Sequence, residues 1–153
     1  PFFKSGSGGS NAGHGRRYVF HNTALQPSVG GVNGGGAGIG IAGNTNEPLT
    51  NTVTRNNIFH IWRSTWPSIS QNGTGFANDA DFDLYNGSIA AQSGAESNGI
   101  RGVPVYVQGS YQLAPTSPGF GRGQRLNNFN DDVTAPDMGA AQSGRPAMRF
   151  GVQ

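Results

Sequence analysis

The chain of 153 residues contains no cysteine. Disulfide bonds, thiol catalysis and cysteine-ligated zinc or haem sites are therefore excluded. Charged residues are also scarce: they make up 12% of the sequence, and Lys4 is the only lysine. The formal net charge is only +2, which is far from the basic surplus of a typical nucleic-acid-binding domain. We therefore predict no nucleic-acid partner.

Long apolar runs are missing as well. No stretch of the sequence approaches the ~18 apolar residues that a membrane span requires, so we predict no membrane span. The chain begins Pro1-Phe2-Phe3-Lys4, without an initiator methionine and without a signal-peptide pattern. We therefore expect it to begin inside a longer protein, either because a precursor was processed or because it is only part of a larger chain.

Glycine is abundant, with 26 residues, and the aromatic and β-branched residues are gathered into short runs between clusters of Gly, Asn, Ser and Pro. A disordered chain lacks such runs, so the pattern indicates short strands joined by long loops. No segment carries a sustained apolar stripe at helical spacing. We predict an all-β fold whose core is supplied by seven β-branched residues. These are Val19, Ile39, Ile41, Val53, Ile58, Ile61 and Ile69.

Two strand-rich segments share one pattern. Residues 18–25 and 52–62 are β-rich runs that asparagine interrupts, at Asn22 in the first run and at Asn57 in the second. A strand, an asparagine at a sharp corner and a second strand are typical of a β-solenoid rung. Asparagine tolerates a left-handed backbone, and its amide can bond the asparagine of the next rung. We therefore predict that Asn57 is a buried corner residue aligned with Asn22 or Asn44.

The character of the sequence changes at Gly102. Proline is dense between Gly102 and Gly119, and proline at this density is incompatible with central strand positions. Solenoids need atypical terminal segments that cover the last rung. We therefore predict solenoid coils with glycine-rich loop insertions over residues 1–101, and a C-terminal cap of the same domain over residues 102–153 whose tail lies over the open end.

Asp79, Asp81 and Asp83 occupy alternate positions. In a strand all three carboxylates would face one side, where they could hold a hard cation such as Ca2+. The spacing is not that of an EF-hand, because Leu84 stands where that loop requires glycine. The alternative is structural, with Asp83 bonding a corner and the other two carboxylates solvated. The oxygen-rich residues 127–132 present the same choice between metal binding and turn formation.

Trp62, Arg63 and Trp66 form the most suggestive surface group, with two indoles flanking a guanidinium. Aromatic faces stack on sugar rings and arginine pairs with acidic groups, so we predict these three as carbohydrate-binding residues. The alternative is that both indoles pack over the interior. His21 and His60 lie next to proposed corner positions, and no hydrolytic motif joins them. We expect structural roles for both histidines rather than general-base catalysis.

Five further blocks of strand and turn residues stand out along the chain. They are residues 20–23 (FHNT), 55–59 (RNNIF), 82–87 (FDLYNG), 113–119 (LAPTSPG) and 135–140 (APDMGA). Together they resemble the C-terminal part of secreted right-handed parallel β-helix proteins of the pectate-lyase-like superfamily. The closing pattern of that group is similar to L-x-P-x-S-P-(A/G) followed by P-D-I-G-A. Here Met138 takes the isoleucine position, and Ala141-Gln142 replaces the usual aromatic-acidic pair.

The resemblance implies a right-handed parallel β-helix that is extracellular or attached to the cell surface. It also implies polysaccharide as the partner, through binding or through processing of the lyase or hydrolase type. It identifies no catalytic residue, because the working cleft of the enzymes usually lies on middle coils, which would precede Pro1. The alternative is a structural extracellular protein, either an adhesin or a filament subunit that forms homo-oligomers through the solenoid ends.

Overall fold

The computed structural model describes residues 3–4, 15–25, 41–43, 50–61, 65, 67–71, 77–90 and 94–146. Within these residues the chain is all-β and contains no helix, as predicted. None of this described part could therefore cross a membrane as a helix. Ile39, Asn44 and the group Trp62, Arg63 and Trp66 lie outside the described residues.

The described residues form eleven short strands, which are rich in the β-branched and aromatic side chains that suit a pleated, packed surface. The strands are β1 (Phe3–Lys4), β2 (Arg17–Phe20), β3 (Thr23–Leu25), β4 (Ile41–Gly43), β5 (Thr52–Arg55), β6 (Ile58–His60), β7 (Pro67–Gln71), β8 (Asp79–Ala80), β9 (Leu84–Tyr85), β10 (Ser88–Ala90) and β11 (Ile100–Arg101). None is longer than five residues, so each strand depends on its neighbours for stability.

All of these strands pair in parallel, and they form three sheets. The first sheet has the order β1-β4-β7-β10, the second β2-β5-β8 and the third β3-β6-β9-β11. From β1 to β7, each strand pairs with the strand three positions later in the chain. Three successive strands therefore belong to three different sheets. The register is continuous in the third sheet, where Thr23, Ile58, Leu84 and Ile100 are successive partners.

An apolar cluster joins the three sheets. Phe59 of the third sheet is fully buried and belongs to one cluster with Ile69 of the first sheet, and Ala80 of the second sheet packs against it. Every predicted core residue whose side chain the structure describes is buried; these are Val19, Val53, Ile58, Ile61 and Ile69. The interior position predicted for them is wrong for two: Val53 is the register partner of the exposed Tyr18 and shares its outward face, and Ile58 packs against Leu113 and Met138.

The corner between the second and third sheets has the same backbone in three successive repeats. His21, Asn56 and Phe82 each have a positive φ, of 51°, 58° and 58°. A residue with a left-handed backbone changes the direction of the chain within a very short turn. This conformation is uncommon for residues other than glycine. The corner is therefore a built feature of the fold rather than a variable loop.

A ladder of side chains runs along this corner from one repeat to the next. Asn22 Nδ2 donates to Asn57 Oδ1 at 3.0 Å. Asn57 Nδ2 in turn donates to Asp83 Oδ1 at 2.8 Å and to the Val19 carbonyl at 2.8 Å. Asn57 is fully buried, so the prediction of a buried corner asparagine bonded to Asn22 is confirmed. The left-handed backbone and the ladder amide are supplied by two adjacent residues, Asn56 and Asn57.

Asn57→Ala is expected to lower the free energy of unfolding by about 1–3 kcal/mol, because it strips hydrogen-bond partners from buried groups in both neighbouring repeats. Chemical denaturation measures the loss. Asn98→Ala is the matched control, since Asn98 is exposed and its amide bonds only to Asp81 on the surface. If Asn57→Ala is no more destabilising than Asn98→Ala, the ladder does not stabilise the fold.

Residues 102–146 follow the last strand and have no regular strand or helix; a single antiparallel bridge joins Tyr106 to Leu113. We call residues 113–146 the tail. Leu113 and Met138 of the tail are fully buried against Ile58 and Leu84 of the third sheet. The structure thus differs from the prediction of a tail over the open end: the tail lies along the outer face of the third sheet.

This position of the tail follows from the alternation of side chains along β6. Phe59 faces the cluster between the sheets, so its neighbour Ile58 points to the opposite face. Without the tail, an apolar column of Ile58 and Leu84 would be open to water, and burying such side chains contributes roughly 1.5–3 kcal/mol each. Apolar side chains on neighbouring strands of the third sheet are therefore buried best by a segment that runs across those strands, as the tail does.

Candidate functional site

The ladder ends in a buried carboxyl pair, Asp83 and Glu96. The main-chain N–H of Asp83 donates to Glu96 Oε2 at 3.0 Å, and both side chains are buried. Asp83 also accepts hydrogen bonds from Thr54 Oγ1 at 2.5 Å and from the Asn57 main chain at 2.7 Å. Gly99 is required here, because a Cβ at this position would stand 2.3 Å from Glu96 Oε2.

Burial raises the pKa of Asp83 to about 6, and burial together with the neighbouring Asp83 charge raises the pKa of Glu96 to about 10. Donors surround Asp83 and favour its charged form, so Glu96 is the member of the pair that keeps a proton at neutral pH. The pair forms the last step of the ladder. The proton held by Glu96 removes the repulsion that two charged, buried carboxylates would exert on each other.

The structure separates the three aspartates that the alternate spacing placed together. Asp79 is exposed and pairs with Arg55 at 2.7 Å, whereas Asp83 is fully buried. The strand stops before Asp81, and the left-handed Phe82 interrupts the alternation. Among the described residues, no group of three or more histidine and acidic side chains is placed to hold a metal ion. The calcium site stays a prediction, without a common coordination sphere for its three carboxylates.

His21 lies beneath the tail, and both of its ring nitrogens are engaged. Nε2 accepts from Asn56 Nδ2 at 3.1 Å and from Asn130 Nδ2 at 2.7 Å. Nδ1 lies 3.1 Å from the carbonyl of Gly139, to which a neutral Nδ1–H tautomer donates. The Gln142 amide nitrogen, 3.3 Å from Nδ1, donates instead to the carbonyls of Asp137 and Gly139. Burial lowers the pKa of His21, in keeping with this neutral form. The role of His21 is to fix the tail to the first two repeats.

His60 joins the third sheet to the start of the irregular region. Its ring stacks on that of Tyr106 with the centroids 5.8 Å apart, and the Tyr106 hydroxyl lies 3.3 Å from His60 Nδ1. Burial lowers the pKa of His60 and raises that of Tyr106. Both histidines that the structure describes are thus held in packing contacts, which agrees with the structural roles expected for them.

Three aromatic rings meet on the outer face of the second sheet. Tyr18 and Phe20 alternate along β2 and so share one face, with Val19 buried on the other. Their ring centroids are 5.6 Å apart, and Phe129 of the tail meets Phe20 edge-on at 5.3 Å. The Arg16 guanidinium lies 5.8 Å from the centre of the Tyr18 ring. We call these four residues the aromatic cluster.

The aromatic cluster is open to solvent. Tyr18 is 61% exposed and Phe129 is 66% exposed. Exposed apolar side chains are common singly, but rings from two distant segments that meet at the surface form a patch of the kind that binds ligands. The flat faces of such rings suit sugar rings, and an adjoining guanidinium adds hydrogen-bond donors for hydroxyl or carboxylate groups.

Comparisons with known proteins give no family or homologue for this chain. No family model, no curated protein and no solved structure matches it. The aromatic cluster is therefore the feature of the described residues on which a function is best inferred. The predicted carbohydrate-binding group Trp62, Arg63 and Trp66 lies outside the described residues and stays a prediction.

The sequence contained half of the signal for the aromatic cluster. Alternating Tyr18 and Phe20 beside a basic pair, Arg16 and Arg17, predict two rings on one strand face. Phe129 lies more than one hundred residues further on, in a segment read from sequence as a turn-rich stretch. No local pattern in the sequence indicates that Phe129 reaches the face of β2.

Proposed function

We propose that this chain belongs to a right-handed parallel β-helix protein of the extracellular space or cell surface, and that it binds polysaccharide through the aromatic cluster. The β-helix is supported by the pairing of each strand from β1 to β7 with the strand three positions later, and by the ladder that repeats at one corner. The extracellular location rests on the resemblance to the pectate-lyase-like superfamily.

One observation carries the binding proposal. Phe129 is brought to Tyr18 and Phe20 by the path of the tail, yet the resulting group stays mostly in water. Folding ordinarily uses such rings to bury apolar area, because each ring contributes a large transfer free energy. A group of rings that is assembled and left exposed is better explained by a ligand than by packing.

Binding is favoured over processing for the residues that the structure describes. An acid or base for lyase or hydrolase chemistry must reach a proton of the substrate. His21, Asp83 and Glu96 are the strongest candidates by their shifted pKa values, but His21 is half-buried, the two carboxyls are buried, and all three are engaged in hydrogen bonds that maintain the fold. Their shifts are those of structural groups.

Retention on polysaccharide tests the proposal. The variant Tyr18→Ser with Phe129→Ser is expected to lose at least about tenfold in affinity for an acidic polysaccharide in affinity electrophoresis, because stacking on aromatic side chains is removed. Val103→Ser is the matched control, since Val103 is similarly exposed and lies outside the cluster. Unchanged retention of the double variant, with an unchanged melting temperature, would contradict the proposal.

The same assay tests the alternative location. If Trp62→Ala with Trp66→Ala loses retention while its fold is intact, the sugar site lies at those indoles. If instead that variant loses its fold, the indoles pack over the interior, because a buried Trp→Ala change costs about 3–5 kcal/mol.

A structural role is the second candidate function, and one surface favours it. Val103, Val105 and Val107 alternate along an extended segment with their side chains exposed, and the chain has no charged residue from Gly102 to Gly121. An uncharged, valine-bearing face suits contacts between subunits of a filament or adhesin. Sedimentation of the purified chain as a large assembly, together with no retention on polysaccharide, would favour this role.

A further inference from the structure

Two cavities share one wall, and the smaller of them adjoins the aromatic cluster through Phe129. The larger has a volume of about 560 Å³ and is lined by Tyr111. The smaller has a volume of about 320 Å³ and is lined by Phe129. Residues of the tail between 140 and 146, including Arg145, line both cavities. Each volume falls within the range of about 300–1,000 Å³ that is usual for ligand sites.

Exposed rings stand on both sides of this shared wall. Tyr111 is 63% exposed and lines the larger cavity only, whereas Phe129 lines the smaller cavity and also belongs to the aromatic cluster. The surface therefore runs from Tyr111 through both cavities to Phe129 and on to Tyr18. A single sugar would need one ring, and a series of cavities with rings at its ends suits a linear chain that is contacted at several points.

Arg145 stands at the middle of this surface. Its side chain is 47% exposed and pairs with the exposed Asp132. A guanidinium has five N–H donors in a planar fork, so this ion pair leaves donors for a ligand. Arg145 lies between the cavities, and Arg16 lies beside Tyr18 at the other end of the surface. Their positive charges favour a ligand that carries carboxylates.

The wall that the two cavities share is held in place by His21, which lies beneath the tail. Asn130 lines the smaller cavity and donates to His21 Nε2 at 2.7 Å. Gln142 lines both cavities, and its side chain bonds to the main chain of Asp137 and to the carbonyl of Gly139. These bonds hold the wall in place before a ligand arrives, which reduces the cost of ordering on binding.

From this arrangement we infer an extended groove that binds a linear acidic oligosaccharide of several residues, from Tyr111 at one end to Tyr18 at the other. The inference rests on the proposed function, since it assigns further subsites to the same polysaccharide-binding surface. Tyr111 is then a specificity-determining residue for chain length, because a ligand held at the aromatic cluster reaches its ring only when the ligand spans both cavities.

Titration of the chain with oligogalacturonates of two to eight residues tests the groove. The affinity of the unmodified chain is expected to rise at least about tenfold with length before it levels off. Tyr111→Ser is expected to bind the shortest oligomers as the unmodified chain does, and to lose at least about tenfold with the longest, because one stacking contact is removed. Tyr18→Ser with Phe129→Ser serves as the comparison and is expected to lose affinity at every length.

The outcomes separate the groove from the proposed function. If the unmodified chain binds with an affinity that does not depend on length, or if Tyr111→Ser matches it at every length, the groove is wrong and the aromatic cluster stands alone. If the unmodified chain binds no oligomer at all, the polysaccharide-binding function itself is overturned. Melting temperatures of both variants equal to that of the unmodified chain confirm that the fold is intact.

Discussion

Gly139→Ala is expected to lower the free energy of unfolding by about 2–6 kcal/mol. Gly139 has a φ of 95°, where a residue with a side chain is strained, at a cost of roughly 1–3 kcal/mol. A Cβ at this position would also stand 2.5 Å from Ile58 Cδ1 and 2.8 Å from Thr23 Oγ1. Such crowding in a packed interior adds about 1–3 kcal/mol. Chemical denaturation at fixed pH measures the sum.

Gly144→Ala provides the control that separates the two causes. Gly144 also has a positive φ, of 73°, but an added Cβ meets nothing within 4 Å. The substitution therefore introduces backbone strain without crowding, and we expect it to lower the free energy of unfolding by about 1 kcal/mol. Equal effects of the two substitutions would mean that the tail does not pack closely on β6, and the position assigned to the tail would be wrong.

Stability is expected to fall as the pH rises from 7 to 9. In an unfolded chain both carboxyls of the buried pair ionise near pH 4, whereas folding raises the pKa of Glu96 to about 10 and that of Asp83 to about 6. Because the folded pKa values are the higher ones, the folded chain holds a proton that the unfolded chain has released. The pair's contribution is present at acidic pH and is lost as the pH rises through the folded values.

One such proton corresponds to a slope of about 1.4 kcal/mol per pH unit, so the expected loss between pH 7 and pH 9 is about 3 kcal/mol. His21 acts in the opposite sense, because burial lowers its pKa. Its contribution is present above the ordinary histidine value near 6.5 and is lost as the pH falls below that value. Measurements above pH 7 therefore isolate the carboxyl pair.

Glu96→Gln tests the assignment of the proton. An amide is neutral at every pH and can still donate to the Asp83 carboxylate, so the variant is expected to lack the slope and to exceed the unmodified chain in stability at pH 9. Asp131→Asn is the control, because Asp131 is an exposed carboxylate of the tail, and it should leave the slope in place. A slope that survives in Glu96→Gln would show that another group is responsible.

Local patterns predicted the features that depend on neighbouring residues. Asn22 and Asn57 each follow a short β-rich run, and the need of a sharp turn for a side-chain amide is a local requirement, so the ladder between them could be predicted. The burial of the β-branched residues could be predicted for the same reason, but not the face of the sheet on which each one lies. Asp83 was foreseen as a corner residue only as an alternative to calcium binding, because the left-handed Phe82 that breaks the alternation is not a residue type expected there.

Long-range contacts could not be predicted in the same way. Ile58 and Phe59 are adjacent apolar residues, and sequence alone does not say which of them faces the space between the sheets. The answer depends on the tail, which buries Ile58 from the other side. Phe129 reaches the aromatic cluster through the same path, so half of the candidate site was visible in the alternation of β2 and the other half required the fold.

The tail makes the domain behave as one unit rather than as a row of parts. In a stack whose repeats touch only their neighbours, the outer repeats open independently and unfolding is graded. Here the tail contacts Thr23, Ile58 and Leu84, which lie on the neighbouring strands β3, β6 and β9 of the third sheet. No one of these repeats can therefore open without detaching the tail. Because His21 bonds to Gly139 across 118 residues, the repeat that contains His21 completes its contacts only after Gly139 has been synthesised.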